Sequence, residues 1–271
     1  MTTTADLLQA TEDALDVARA HILRRSLGRI RAKTERDFVS DLDLAVEHDV
    51  RNLLAGRFPD IGFLGEEEGW TPDSNRGLYW VLDPLDGTTN LVKDLPLCAS
   101  SLALVDHDRT VLGAIDAPFL ELRYHAVAGE GAYLAGKQLK AAATDQLADA
   151  VVAIGDYAVG PGAEQRNQIR LAITAQLAAH AQRVRMLGTA ALDLAWVAEG
   201  KLDASIILSN HPWDTAAGVL LAREAGAQIH DATGTPHTIH SASTITAAAP
   251  LIDALLELID RAADEPRSSG R

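Results

Sequence analysis

The sequence predicts a mixed chain of the α+β and α/β classes: an antiparallel sheet with two N-terminal helices, followed by an α/β second half. Two observations carry this. Apolar residues recur at helical intervals over residues 5–25 and 42–54, then give way to short strand-like runs from residue 78 to about 134. Beyond residue 150, strand-like and helical stretches alternate, as in βα units. With 271 residues and 47% hydrophobic content, the chain can bury a substantial core as one large domain or two joined halves.

The elements follow in order. Leu7, Leu8, Ala14, Leu15, Ala18 and Ile22 form one face of a first helix, with Gly28 as its stop. The polar stretch RAKTERD leads into a second helix with Leu42, Ala45, Val46, Val50, Leu53 and Leu54 on one face, closed by Gly56 and Pro59. Asp37, Asp41 and Asp43 suit the start of that helix for capping and dipole reasons. IGFLGEEEGW reads as a short strand entering an acidic loop, whose three adjacent glutamates are either solvated or neutralised by a cation. Leu78 to Leu82 form a buried strand that delivers Asp83, after which Pro84 and Gly87 turn the chain. Ala99–Val105, Val111–Ala117, Leu122–Val127 and Ala132–Leu134 read as an antiparallel meander, with Gly129 and Gly131 in its turns.

The character changes near Lys140. A strand from Val151 precedes a helix from Glu164 to about Ala181, then helical GTAALDLAWVAEGK, strand DASIIL, helical DTAAGVLLAREAGA and strand AQIHDA. A last helix spans Leu251 to Ile259, just after Pro250. The chain thus divides into an N-terminal half, 1–140, a C-terminal half, 141–264, and a flexible tail, 265–271.

A formal net charge of −14 argues against general nucleic-acid binding, which depends on Lys and Arg neutralising phosphates. It suits a phosphate bridged by metal ions better than one clamped by arginines. The single cysteine, Cys98, fits a reducing compartment and sits in what reads as packed strand. No leader-like opening and no apolar run of about 18 residues is present, so a cytoplasmic protein without a membrane span is expected.

The chemistry centres on WVLDPLDGTTN, Trp80 to Asn90. Asp83 and Asp86 lie three residues apart on a turn, so their oxygens and the Leu85 carbonyl can converge on hard divalent cations such as Mg²⁺. Thr88 and Thr89 add hydroxyls and N–H groups that suit a phosphate if a helical turn begins there. The same residue types are ordinary turn formers. Glu66 or Glu67 could complete a metal shell, and so could Asp214, which equally suits a helix cap. No His or Cys cluster is spaced for zinc, and His211 is expected to pack near the site.

Taken together, GEE at Gly65–Glu67, DPLDGTTN at Asp83–Asn90 and WDTAAG at Trp213–Gly218 resemble, in order and character, the signature motifs of the inositol monophosphatase family. DFVSDLD, Asp37–Asp43, resembles that family's first acidic segment, and the likeness extends from about Lys33 to Ala227. The resemblance implies a layered α-β-α-β-α sandwich and a Mg²⁺-dependent phosphomonoester hydrolase, with two or three ions per site. Glu66, Asp83 and the Leu85 carbonyl would hold one ion. Asp83, Asp86 and Asp214 would hold a second, with Glu67 near the site or its waters. Thr88 would hydrogen-bond the attacking water, oriented by Asp43, with Glu66 also catalytic. Asp86 and the Gly87 and Thr88 N–H groups would face the phosphate, and Gly188, Thr189 and Ala190 would line the substrate pocket. A homodimer and sensitivity to Li⁺ are further implications. Two cations can stabilise both the entering and the leaving oxygen of an in-line displacement, which is why such acids are gathered.

One position departs from the family. Where inositol-type members place a glutamate against the sugar-alcohol hydroxyls, counting without gaps gives Ile207, which cannot accept those hydrogen bonds. DGTTN nevertheless resembles the inositol-type members, whereas histidinol-phosphate enzymes often carry lysine at the position of Thr89. An inositol-1-monophosphatase is therefore the first reading. Histidinol phosphatase, fructose-1,6-bisphosphatase and nucleotide 3'-phosphatase are the alternatives. A reading of another class is a fold kept for binding a phosphate ligand without turnover, against which stands the retention of so many clustered like charges.

Overall fold

The computed structural model describes residues 2–34, 37–71 and 77–268. Helix α1 (Thr4–Leu23) starts from Thr3, whose N–H donates to the Asp6 carboxylate at 2.9 Å. Helix α2 (Asp41–Arg57) starts from Ser40. Between them lies a feature the polar stretch concealed: an antiparallel hairpin of β1 (Ile30–Thr34) and β2 (Asp37–Ser40). Asp37 therefore opens a strand and not the helix, and its side chain lies outside the described residues.

The first half then supplies β3 (Gly62–Gly65), β4 (Gly69–Thr71), β5 (Leu78–Asp86), the short helix α3 (Thr88–Val92), β6 (Ala99–Asp106), β7 (Arg109–Ala117), β8 (Leu122–Val127), β9 (Gly131–Leu134) and β10 (Lys137–Gln138). These strands form one sheet of order β10-β9-β8-β7-β6-β5-β3-β4, antiparallel except where β3 runs parallel to β5. The second half supplies β11 (Val151–Ile154), α4 (Ala163–His180), β12 (Arg183–Arg185), α5 (Ala190–Ala198), β13 (Ala204–Ile207), α6 (Pro212–Glu224), β14 (Gln228–His230), β15 (Thr244–Ala247) and α7 (Ile252–Ser268). Its sheet has order β12-β11-β13-β15-β14, with β11 parallel to both neighbours and β15 antiparallel to both of its own. The last helix continues well past Ile259, and 269–271 of the expected tail lie outside the described residues.

The period-two pattern of the strands sorts side chains between layers. Trp80, Leu82, Leu102 and Leu104 face α1 and α2, while Val81, Ala103 and Val105 face α5 and α6 on the other side of the large sheet. On β13, Ile207 turns toward α5 and α6, whereas Ala204 and Ile206 pack against α4 and α7. The stack is therefore α-β-α-β-α, the layering that the family resemblance implies. Each fully buried Leu or Ile contributes about 1.5–3 kcal/mol, so the three apolar cores lock the layers in place. Among the described residues, no helix is long and apolar enough to cross a membrane.

Candidate active site

β5 carries two carboxylates because its ladder breaks where they sit. Pairing with β6 is regular to Asp83 opposite Ser101, then resumes at Asp86 opposite Ala99. Pro84 has no N–H to give the ladder, and its carbonyl accepts from the Ser100 hydroxyl at 2.7 Å. The bulge brings Asp83 and Asp86 to one cleft. Gly87 then turns the chain with φ of 89°, and a Cβ there would lie 2.7 Å from the Leu97 carbonyl oxygen, so only glycine fits. α3 begins at the next residue. The Thr88 hydroxyl lies 3.1 Å from Asp43 Oδ1 and 3.0 Å from the Leu85 carbonyl oxygen.

Asp43 reaches Thr88 from the first turn of α2, where its other oxygen accepts from the Ser40 N–H at 2.9 Å and from the Ser40 hydroxyl. Glu66 sits in the β3–β4 turn, whose shape is dictated from below. The buried carboxylate of Glu47, on α2, accepts the N–H groups of Glu67 and Glu68 at 2.8 and 2.9 Å and pairs with Arg51 at 2.7 Å. A Cβ on Gly65 would fall 2.0 Å from Glu47 Oε1, which is why the acidic run is preceded by glycine. Glu67 contributes its backbone to this clamp and does not line the cleft.

Asp86 accepts from the Thr189 hydroxyl and the Ala191 N–H, both at 2.6 Å, and so receives the start of α5. Asp214 occupies the corresponding place on α6, where its Oδ2 accepts the His211 N–H at 2.7 Å. Glu66, Asp83, Asp86, Thr88 and Asp214 thus line one cleft of about 600 Å³. A second cleft of about 650 Å³ shares Asp86, Gly188 and Asp214 with it and adds Thr189, Ala190 and Ile207. The Asn90 side chain ties α3 to the segments that precede β6 and α5 by donating to the Leu97 and Leu187 carbonyls, each at 2.8 Å. His211 stacks on Trp213 with ring centroids 4.6 Å apart.

Gathering acids has an electrostatic cost that shows in their proton affinities. Asp83 is raised well above the ordinary carboxylate value by burial, then by repulsion from Glu66, Asp86 and Asp214; a hydrogen bond shared with Glu66 adds to the shift. Asp86 is pushed up to about 7 by burial, with Asp214 and Glu66 adding to it and the donors Thr189 and Ala191 opposing. Burial also raises Asp43, against the bonds from Ser40 and Thr88. Among the described residues, no three His, Cys, Asp or Glu side chains form a ready cage for a metal ion. The donor set of carboxylates and a carbonyl matches hard divalent cations in kind, and their charge would relieve the repulsion that now raises Asp83 and Asp86.

Sequence reasoning missed several residues. Glu47, four residues after Asp43 on the buried face of α2, could have been found as an acid recurring among Val46 and Val50. Asp193 is buried on α5 with one carboxyl oxygen lacking a partner, and burial followed by Asp86 and Asp156 raises it well above the usual range. Arg170 is buried on α4 and lines the second cleft, and nothing in its surroundings in sequence distinguishes it. Cys98 is fully buried and burial pushes its thiol up to about 12, consistent with a packing role.

The profile of the inositol monophosphatase family matches residues 3–264. The chain belongs to that family. As a member it is a phosphoric monoester hydrolase. The inositol-1-monophosphatase ImpA of Mycolicibacterium smegmatis is 36% identical to this phosphatase over 227 residues, 84% of this chain and 82% of that one. The Nus factor SuhB of Escherichia coli is 35% identical over 202 residues, 74% of each. Among solved structures, the extragenic suppressor protein suhB of Bartonella henselae superposes with a TM-score of 0.87 at 29% identity, covering 94% of the phosphatase and 98% of its own chain.

Proposed function

We propose that the chain is a Mg²⁺-dependent phosphomonoester hydrolase of the inositol-1-monophosphatase type, in which water attacks phosphorus in line. The observation that carries this is the meeting, at one cleft, of carboxylates from the β3–β4 turn, β5 and α6 with the Thr88–Asp43 pair. Glu66, Asp83, the Leu85 carbonyl, Asp86 and Asp214 would hold the ions, which when bound neutralise the phosphate and lower the pKa of the attacking water.

The chain's own residues do the rest. The Thr88 hydroxyl has a single proton, and with Asp43 and the Leu85 carbonyl on that side its oxygen lone pairs are turned to accept from a water. Asp43 orients it and is itself fixed by Ser40. The Gly87 and Thr88 N–H groups open α3 and suit phosphate oxygens. Asp86, held by Thr189 and Ala191, stands where the two clefts join, so one cleft would take the phosphate and the other, with Gly188, Thr189 and Ala190, the alcohol. Glu67 acts through its backbone, by way of Glu47. A homodimer, inhibition by Li⁺ and a reducing, cytoplasmic setting belong to the same proposal and are supported by kinship and by the lone buried cysteine.

The names of the relatives favour inositol 1-phosphate as the ester, while Ile207, buried at the wall of the second cleft, offers no acceptor to a ring of hydroxyls. The test is phosphate release from a simple ester by protein stripped with EDTA, with and without added Mg²⁺. Release should require the ion, and Asp83→Asn should lower it by about a thousandfold or more, as expected when a site that stabilises developing charge is dismantled. Equal rates without the ion, or an unimpaired Asp83→Asn variant, would overturn the proposal.

A further inference from the structure

A separate cavity of about 460 Å³ lies along α6 and shares no lining residue with either cleft. Its apolar lining comes from Ala128, Ala216, Val219, Leu220 and Ile239. Its ionisable groups are Asp108 and Arg109 where β7 begins, Arg223 and Glu224 at the end of α6, and His237. The carboxylates already have donors. Glu224 accepts the Gly129 and Gly131 N–H groups at 2.8 and 3.0 Å, Asp108 pairs with His240 at 2.9 Å, and Asp231, which acts on His237 from the turn after β14, accepts the Thr233 and Thr235 hydroxyls, each at 2.6 Å. The two guanidiniums, both exposed at the cavity, meet no carboxylate at ion-pair distance among the described residues. Desolvation on the cavity wall lowers Arg223, Glu224 opposes this, and the like charge of Arg109 adds to the fall. His237, only 9% exposed, brings no charge of its own. The Asn210 NH₂ donates to the Ser241 carbonyl at 2.8 Å, which leaves its oxygen to accept from the Thr244 hydroxyl at 3.2 Å; with that proton given, Thr244 accepts from His237 Nε2 at 2.9 Å. Burial and then the Arg223 charge, against Asp231, lower the ring to about 4, so it is neutral near pH 7.

Two guanidiniums brought together by separate elements repel each other until an anion stands between them, and a concave wall concentrates their field. The hollow they border has the size and the apolar lining of a small-molecule site. A planar fork matches a carboxylate, and the aliphatic lining suits a ring or short hydrocarbon. We propose that this cavity binds a small organic carboxylate with an apolar body, apart from the reaction cleft, with Arg109 and Arg223 receiving the carboxylate and Val219, Leu220 and Ile239 the apolar part. Thr215, next to Asp214 on α6, lies on the same wall, so the occupant rests on the helix whose first turn reaches the reaction cleft. The site stands independently of the phosphatase reading.

The experiment titrates 2-naphthoate, its neutral amide 2-naphthamide, and acetate, an anion without the ring, into the full chain by calorimetry, after metal has been stripped and the chelator dialysed away. Naphthoate should bind one to one, and about tenfold or more tightly than either of the others, as charge-assisted contacts added to apolar burial require. Arg109→Met and Arg223→Met should each weaken naphthoate by about three- to tenfold, a moderate loss because both side chains are exposed, and leave naphthamide unchanged. The two arginines stand on different elements, so either variant decides the matter if the other does not fold. Arg170→Met, on the wall of the second cleft, should bind naphthoate as the wild type does. Absence of saturable binding, equal affinity for acid and amide, affinity untouched in the Arg109 and Arg223 variants, or a loss confined to Arg170→Met would each overturn the proposal.

Discussion

Replacing Glu47 by glutamine keeps the shape of the side chain and removes its charge. The wild-type carboxylate is fully buried, accepts two backbone N–H groups from the β3–β4 turn and neutralises Arg51, itself largely buried. In Glu47→Gln one of the two oxygens becomes an NH₂ that faces an N–H donor, and Arg51 loses its nearer carboxylate, keeping Glu68 at 3.4 Å. Breaking a buried pair from one side costs about 3–5 kcal/mol, a large part of the stability of an ordinary domain. Urea unfolding followed by circular dichroism should therefore show a markedly lower midpoint. The loss should also reach the chemistry, because the turn so anchored carries Glu66. Groups that orient a metal ligand from behind typically change metal affinity by about 10- to 100-fold, so the Mg²⁺ concentration giving half-maximal phosphate release should rise by at least tenfold. A Glu47→Gln protein with wild-type unfolding and wild-type Mg²⁺ dependence would show that the clamp neither stabilises the fold nor positions Glu66.

Two further outcomes are expected. Thr88→Val, which keeps the branched shape and removes the hydroxyl facing Asp43, should reduce kcat by about 10²–10⁴-fold with little change in unfolding midpoint, and a residual kcat within threefold of wild type would remove Thr88 from the reaction. Without Mg²⁺, Asp86 titrates near 7 when folded against an ordinary value of 3.8, so the stability it contributes is full below about 3.8 and is lost as pH rises through 7. Thermal unfolding of metal-free protein should accordingly show lower stability at pH 8 than at pH 5, with Mg²⁺ stabilising most at pH 8 and Asp86→Asn flattening the slope; a metal-free protein more stable at pH 8 would contradict this.

What could be read in advance was whatever repeats with a period or sits close in sequence. The long helices and the β6–β9 meander announce themselves through apolar spacing, and Asp83 and Asp86 are visibly neighbours on a turn. The β1–β2 hairpin was hidden because IRAKT and DFVS carry few apolar residues, and β12 and β15 are too short for a period to register. Glu47 and Arg170 were hidden for another reason. Each lies on a helix where charged residues are ordinary, and what makes it unusual, two N–H groups about twenty residues on or a cavity wall shared with β13, exists only after folding. Asp214 could be tied to Asp83 only by resemblance, since 131 residues separate them and no local pattern joins them.

Asp43 and Asp214 both serve at helix starts, and for Asp214 that is compatible with lining the cleft, while Asp43 stands behind it against Thr88. Asp43 accepts the Ser40 N–H at the start of α2, Asp214 accepts the His211 N–H at the start of α6, and Asp86 receives the Ala191 N–H at the start of α5. Adding α3, which opens at Thr88, three helices begin at the cleft, and α2 begins behind it, where Asp43 meets Thr88. Helix starts present unpaired N–H groups and the positive end of the dipole, each worth roughly 0.3–1 kcal/mol to a nearby anion. Clustered carboxylates repel, so a fold that collects them needs compensation already built into its backbone, and a convergence of helix N-termini supplies it without adding basic side chains that would compete for the same acids. The arrangement also explains why Asp86 stops near 7 although burial, Asp214 and Glu66 all push it upward: the α5 start holds it down. On this view the caps are the means by which the polypeptide tolerates a cation site while it is empty, and removing one, for instance through Thr189→Val, should raise Asp86 further and weaken Mg²⁺ binding most at low pH.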